Sequence, residues 1–124
     1  MPTFINRYIH IVTQESRSLI NDKFEKLNPI QAQTIQSIIN HSEDLCLFIS
    51  KLEEKDTGST NRHDLLNMIT PISGYIDMLS DGWMGDLNEQ QHDRIQLISL
   101  AVYRLIDYVQ SYPTEKRQPI ASLP

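Results

Sequence analysis

The chain has 124 residues, 40% of them hydrophobic and 22% charged, which suits one globular domain with a real core rather than a disordered or fibrous chain. With 4 glycines and 6 prolines, an all-β fold built on many tight turns is disfavoured. Acidic residues outnumber basic ones 16 to 11, and the net charge of −5 argues against generic binding to nucleic acid or to an anionic membrane surface.

The longest apolar run, Leu45-Cys46-Leu47-Phe48-Ile49, is far too short to span a bilayer, and Met1-Pro2-Thr3-Phe4 does not open a signal peptide. The expectation is a cytoplasmic protein that engages no membrane. The one cysteine, Cys46, has no internal disulfide partner, and its apolar setting reads as a small buried hydrophobe.

In chain order, the first predicted element is a helix near 4–24. Ile5, Ile9, Val12, Ser16 and Leu19 step by four and three, the spacing of a seam between packed helices. The second helix is predicted over 29–54. Asn28 is a good N-cap, Pro29 suits the first helical position, and Gln31 can reach back in a capping box. Its seam is Ile35, Ile38, Ser42, Leu45 and Ile49. Asp-Thr-Gly-Ser-Thr at 56–60 reads as a linker. The third helix, near 60–81, carries Leu65, Ile69, Ile72, Ile76 and Leu79. A glycine-marked turn follows, Asp81-Gly82-Trp83-Met84-Gly85-Asp86, in which Trp83 and Met84 are expected to cover the bundle end. Asn88, Glu89 and Gln91 open a fourth helix near 89–111 with the seam Ile95, Ile98, Val102, Leu105 and Val109. From Pro113 periodicity is lost and a tail begins.

Shifted by 60 residues, the chain matches itself without a gap. Leu27-Asn28 falls on Leu87-Asn88, Gln31 on Gln91, Ile35-Gln36 on Ile95-Gln96, Ile9 on Ile69, and Leu45 on Leu105. The expected fold class is therefore all-α, an antiparallel four-helix bundle made of two tandem helical hairpins. Residues 1–55 would form a degenerate hairpin, 56–60 the linker, 61–112 the second hairpin and 113–124 the tail, all one compact domain. A single chain can close such a bundle as a monomeric pseudo-dimer; a homodimer pairing hairpins between chains is the alternative.

One constellation carries chemistry. In Arg62-His63-Asp64-Leu65-Leu66-Asn67-Met68-Ile69-Thr70-Pro71-Ile72-Ser73-Gly74-Tyr75 the core seam uses 65, 69 and 72. His63, Asn67, Thr70 and Gly74 form a polar or small stripe on another face, so His63 points to solvent with Asn67 one turn away. A solvent-facing imidazole is a usable nucleophile near neutral pH. Asp64 can orient it or take its other ring proton. Asn67 can position a water or a phosphoryl oxygen, and Gly74 opens a shallow surface to a partner.

This pattern resembles the dimerisation and histidine-phosphotransfer domain of sensor histidine kinases. That family's motif is His, an acidic residue, two residues, Thr or Asn, and Gly eleven positions after the His; His63, Asp64, Asn67 and Gly74 keep that spacing. Leu87-Asn88-Glu89-Gln90-Gln91 is similar to the family's entry to its second helix. The resemblance covers 60–110 well and 3–50 faintly through the repeat. It implies that His63 is the phosphoacceptor, that Asp64 assists its phosphorylation, and that Asn67 helps water attack a phosphorylated partner. The implied partners are a receiver domain, docking over Asn67, Thr70 and Gly74, and a histidine kinase. No cofactor or metal is expected in this chain; Mg²⁺ would belong to the receiver.

Three departures qualify the match. The family's Pro five residues after the His is Met68 here, and Pro71 comes three later. The first unit has Thr3 and Arg7 where His and Asn should stand, so at most one site per chain is active. No Gly-rich nucleotide loop appears and no ATP-binding domain follows, so the chain is not expected to be a complete kinase, and a fragment of a larger kinase is a third reading. Plainer readings stay open. His63 fits an ordinary surface histidine, Asp64 a cap through Asn61-x-x-Asp64, Asn67 a helix-surface residue, and Tyr75 either a contact or a seam-edge residue. His10, His41 and His92 form no metal-ligand cluster. Phosphotransfer protein is thus the leading expectation, and a non-enzymatic adaptor or inhibitor binding a receiver domain or kinase is the alternative.

Overall fold

Each helix buries the stripe that its seam predicts, and α2 and α4 begin at their capping asparagines. The computed structural model describes residues 3–22, 26–54 and 59–111. Within them run α1 (Thr3–Asn21), α2 (Pro29–Glu54), α3 (Ser59–Ser80) and α4 (Glu89–Gln110), and no strand occurs among the described residues. α1 packs against α2 and α4, and α3 packs against the same two, so α1 and α3 occupy opposite corners of a four-helix bundle. Exchanging α1 with α3 and α2 with α4 leaves this set of neighbours unchanged. That is the relation the tandem repeat requires.

Burial follows the same rule. All but four of the buried side chains, the exceptions being Thr13, Thr34, Ile39 and Ala101, have a buried counterpart 60 residues away. Ile35, Ile38, Ile95 and Ile98, which open the seams of α2 and α4, are fully enclosed. Each such aliphatic side chain contributes roughly 1.5–3 kcal/mol by leaving water. Ser16 and Ser42 keep their seam positions in the first half, where the second half has Ile76 and Val102. Thr13 Oγ1 and Ser42 Oγ lie 2.8 Å apart and also reach the carbonyls of Ile9 and Ile39. Ser16 Oγ is buried with no hydrogen-bond partner.

Both predicted capping boxes form. Asn28 Oδ1 accepts from the Gln31 amide at 2.8 Å while Gln31 Oε1 accepts from the Asn28 amide at 2.9 Å. Asn88 and Gln91 repeat the exchange at 2.8 and 3.0 Å. The first box also ties the two units together. Asn28 Nδ2 donates to the Met84 carbonyl at 2.7 Å, and Gln31 Nε2 to the Gly85 and Asp86 carbonyls at 3.2 Å each. The start of α2 is thereby latched to the α3–α4 turn.

That turn is built on two glycines. Trp83 N–H reaches back to the Met78 carbonyl and Gly82 N–H to the Leu79 carbonyl, a Schellman ending of α3 in which Gly82 takes the left-handed position at φ +81°. Gly85 follows at φ +113°.

Four local expectations are corrected. Trp83 does not cover the bundle end: it is 79% exposed, because the Schellman turn swings it outward, and only Met84 packs on the core. Cys46 is exposed, not buried, because it sits one residue and hence about 100° beyond the seam position Leu45. α3 starts at Ser59, so two of the predicted linker residues are helical, and 56–58 lie outside the described residues. α1 ends at Asn21, short of the expected 24, and 23–25 also lie outside them.

Candidate functional site

α3 presents its outer face one turn after its start. The seam residues Leu65, Ile69 and Ile72 face the core and fix the rotation of the helix. That rotation leaves His63, Asn67, Thr70 and Gly74 exposed on the far side, as their offset from the seam predicts. Asn67 Nδ2 lies 3.2 Å from His63 Nε2, the i to i+4 contact of one helical turn. The amide nitrogen can only donate, so the contact is a hydrogen bond when Nε2 carries the lone pair.

Asp64 is half-buried and lies beside His63 along the chain, about 100° around the axis. Neighbours at i and i+1 do not face each other on a helix, and the group that meets the ring is the Asn67 amide. Thr70 Oγ1 donates to the Leu66 carbonyl at 2.7 Å, so its hydroxyl is turned onto its own helix. Pro71, inside α3, brings no N–H to the Asn67 carbonyl one turn earlier. A side chain added at Gly74 would meet nothing within 4 Å. The glycine is thus not required by packing.

Below Gly74, Tyr75 is half-buried and packs on the core edge, which makes it a seam-edge residue. Its ring meets His41 of α2 edge-on, with centroids 5.6 Å apart and planes at 74°. His41 Nδ1 lies 2.8 Å from the Ser37 carbonyl. Nothing in the sequence pairs these two residues, which lie on separate helices.

The equivalent face of α1 is different. Arg7, His10 and Gln14 stand where α3 has Asn67, Thr70 and Gly74. The His63–Asn67 pair thus has no counterpart at the equivalent positions of α1. No group of three or more His, Cys, Asp or Glu side chains among the described residues could hold a metal ion. No helix among them is long and apolar enough to cross a membrane. An open depression of about 420 Å³, lined by Leu79, Asp81, Gly82, Asp86, Leu87 and His92 among others, lies at the turn end. At 1.5 Å per residue it is roughly 24 Å along α3 from His63, so it does not belong to the same site.

Comparison of the chain with models of known protein families, with curated proteins and with solved structures finds no match.

Proposed function

We propose that the protein is a histidine-containing phosphotransfer protein of a two-component-type signalling pathway, acting through His63 on a receiver domain in the cytoplasm. The observation that carries this reading is the exposed His63 ring, met at Nε2 by Asn67, on a helix face with open space at Gly74. In the reaction, the lone pair of a ring nitrogen attacks the phosphorus of an aspartyl phosphate on the receiver. A P–N bond forms, the P–O bond to the aspartate breaks, and the freed carboxylate keeps the electron pair. The reverse step loads the receiver. Mg²⁺ held by the receiver would offset the charge on the phosphoryl oxygens. Asn67 would then have room to direct a water at the receiver's phosphoryl group.

The experiment is incubation with ³²P-labelled phospho-receiver domains and with a histidine kinase. Transfer of an acid-labile, base-stable label to wild type, absent in His63→Gln, is the expected result. A second reading is favoured by the placement of Asp64, which does not hold the ring: the bundle then serves as a non-enzymatic adaptor or inhibitor that captures a receiver or kinase on the α3 face. Binding that survives His63→Gln with no label on any variant selects that reading over phosphotransfer.

A further inference from the structure

We infer that Asn67 is a positioning residue that holds the neutral His63 ring in its Nδ1–H tautomer and so reserves the Nε2 lone pair as the nucleophile. The inference deepens the phosphotransfer reading and rests on it for its chemical consequence, but the tautomer itself is a property of the resting protein.

The argument begins with donor inventory. A carboxamide nitrogen carries two N–H groups and accepts nothing, so a ring nitrogen facing it at 3.2 Å must be the lone-pair nitrogen. Which imidazole nitrogen keeps the proton is set by the hydrogen bond the other one makes. An unconstrained neutral histidine side chain favours the Nε2–H form, so the Asn67 contact works against the intrinsic preference. It also fixes the direction of the ring. Nε2, the ring nitrogen farther from the backbone, is drawn along the helix toward the open surface above Thr70 and Gly74.

Residue type matters at this position. A carboxylate at 67 would accept and would draw the proton to Nε2, removing the nucleophile. The arginine at the equivalent position of α1, Arg7, is a donor of another kind, and the position equivalent to His63 holds Thr3. Asp64 cannot substitute, because its Cβ leaves the helix about 100° away from that of His63. When an electrophilic phosphorus approaches, the exposed amide swings aside and the lone pair is released. The new P–N bond then forms at Nε2, the bond from phosphorus to the carboxylate oxygen breaks, and the Nδ1 proton stays on the ring until solvent removes it.

The test is long-range ¹H–¹⁵N correlation NMR on the ¹⁵N-labelled full chain at about pH 8.5, above the ordinary imidazole range. The nitrogen shifts separate the protonated from the lone-pair nitrogen, and His63→Gln assigns the His63 signals. Wild type should show the proton on Nδ1, with an Nδ1–H to Nε2–H ratio severalfold above that of Asn67→Ala. Asn67→Asp should move the proton to Nε2. An Nε2–H ring in wild type, or equal ratios in wild type and Asn67→Ala, overturns the inference. The label experiment is independent: transfer to His63 with an Nε2–H resting ring sinks the positioning role alone, whereas an Nδ1–H ring without transfer supports it and sinks the phosphotransfer reading.

Discussion

Substituting the glycines one at a time separates backbone strain from contact. At Gly85 an added Cβ would lie 2.7 Å from Asn28 Nδ2, and the backbone is at φ +113°. The backbone cost for an L-residue in such a region is about 1–3 kcal/mol. The contact adds to it. Asn28 Nδ2 is held by the Met84 carbonyl at 2.7 Å and Asn28 Oδ1 by the Gln31 amide at 2.8 Å, so the side chain cannot retreat without loosening the α2 cap. Losing a cap costs about 0.5–2 kcal/mol. Gly85→Ala should therefore cost roughly 2–4 kcal/mol, combining these two terms. At Gly82 the backbone is at φ +81° with open space around it, so Gly82→Ala should cost about 1–2 kcal/mol. Urea unfolding followed by far-UV circular dichroism reads the series. A double-mutant cycle with Asn28→Ala isolates the contact: in that background Gly85→Ala should retain only the backbone cost, lower by about 1 kcal/mol. An Ala at 85 that costs no more than one at 82, or a cycle with no coupling, refutes the latch between α2 and the turn.

Ser16→Ala removes a buried hydroxyl that has no partner, and should raise unfolding free energy by about 1 kcal/mol; a loss of stability would mean that the hydroxyl is satisfied after all. Leu45→Ala and Leu105→Ala, at equivalent buried positions, should each cost about 2–5 kcal/mol and agree within about 1 kcal/mol, so a large disparity in their urea midpoints would deny the two halves equivalent cores. Asn88→Ala breaks the second capping box and should lower stability by about 0.5–2 kcal/mol in the same assay. Gly74→Arg should leave the thermal midpoint unchanged or slightly raised, because that site is open and helical, while phosphoryl exchange with a receiver is lost; exchange at the wild-type rate would remove Gly74 from the docking surface.

The bundle is legible in the sequence because three signals agree: seam spacing, capping residues and the self-match at 60 residues. Side chains whose place depends on one helix could be read the same way. The exposure of His63 follows from its offset to Leu65 and Ile69, and its contact with Asn67 from one helical turn. Adjacent sequence position misleads: Asp64 follows His63 in the chain but diverges from it around the helix. A continuous apolar run misleads too, since in Leu45-Cys46-Leu47-Phe48-Ile49 only Leu45 and Ile49 are buried, and Leu47 is 62% exposed. Contacts between helices far apart in the chain leave no local trace. The latch from Asn28 to Met84 and the His41–Tyr75 ring contact depend on which corners α2 and α3 occupy, and no periodicity encodes that.

The two interfaces that join one hairpin to the other are equivalent in position and unlike in chemistry. Between α1 and α4, Arg94 pairs with Glu15 at 2.8 Å; between α2 and α3, the residue at the place of Glu15 is Tyr75, set against His41. A first hairpin paired with another first hairpin would bring Glu15 against His41 and Thr34 and leave it without its arginine. A second hairpin paired with another second hairpin would bring Tyr75 against Arg94 and Ala101 and leave that arginine without its carboxylate. Either like-with-like pairing would meet the mismatch twice, once on each side of its two-fold axis. Such a difference between right and wrong pairings, rather than the strength of either contact, is what confers selectivity. The unlike pairing alone keeps both the Arg94–Glu15 pair and the His41–Tyr75 contact.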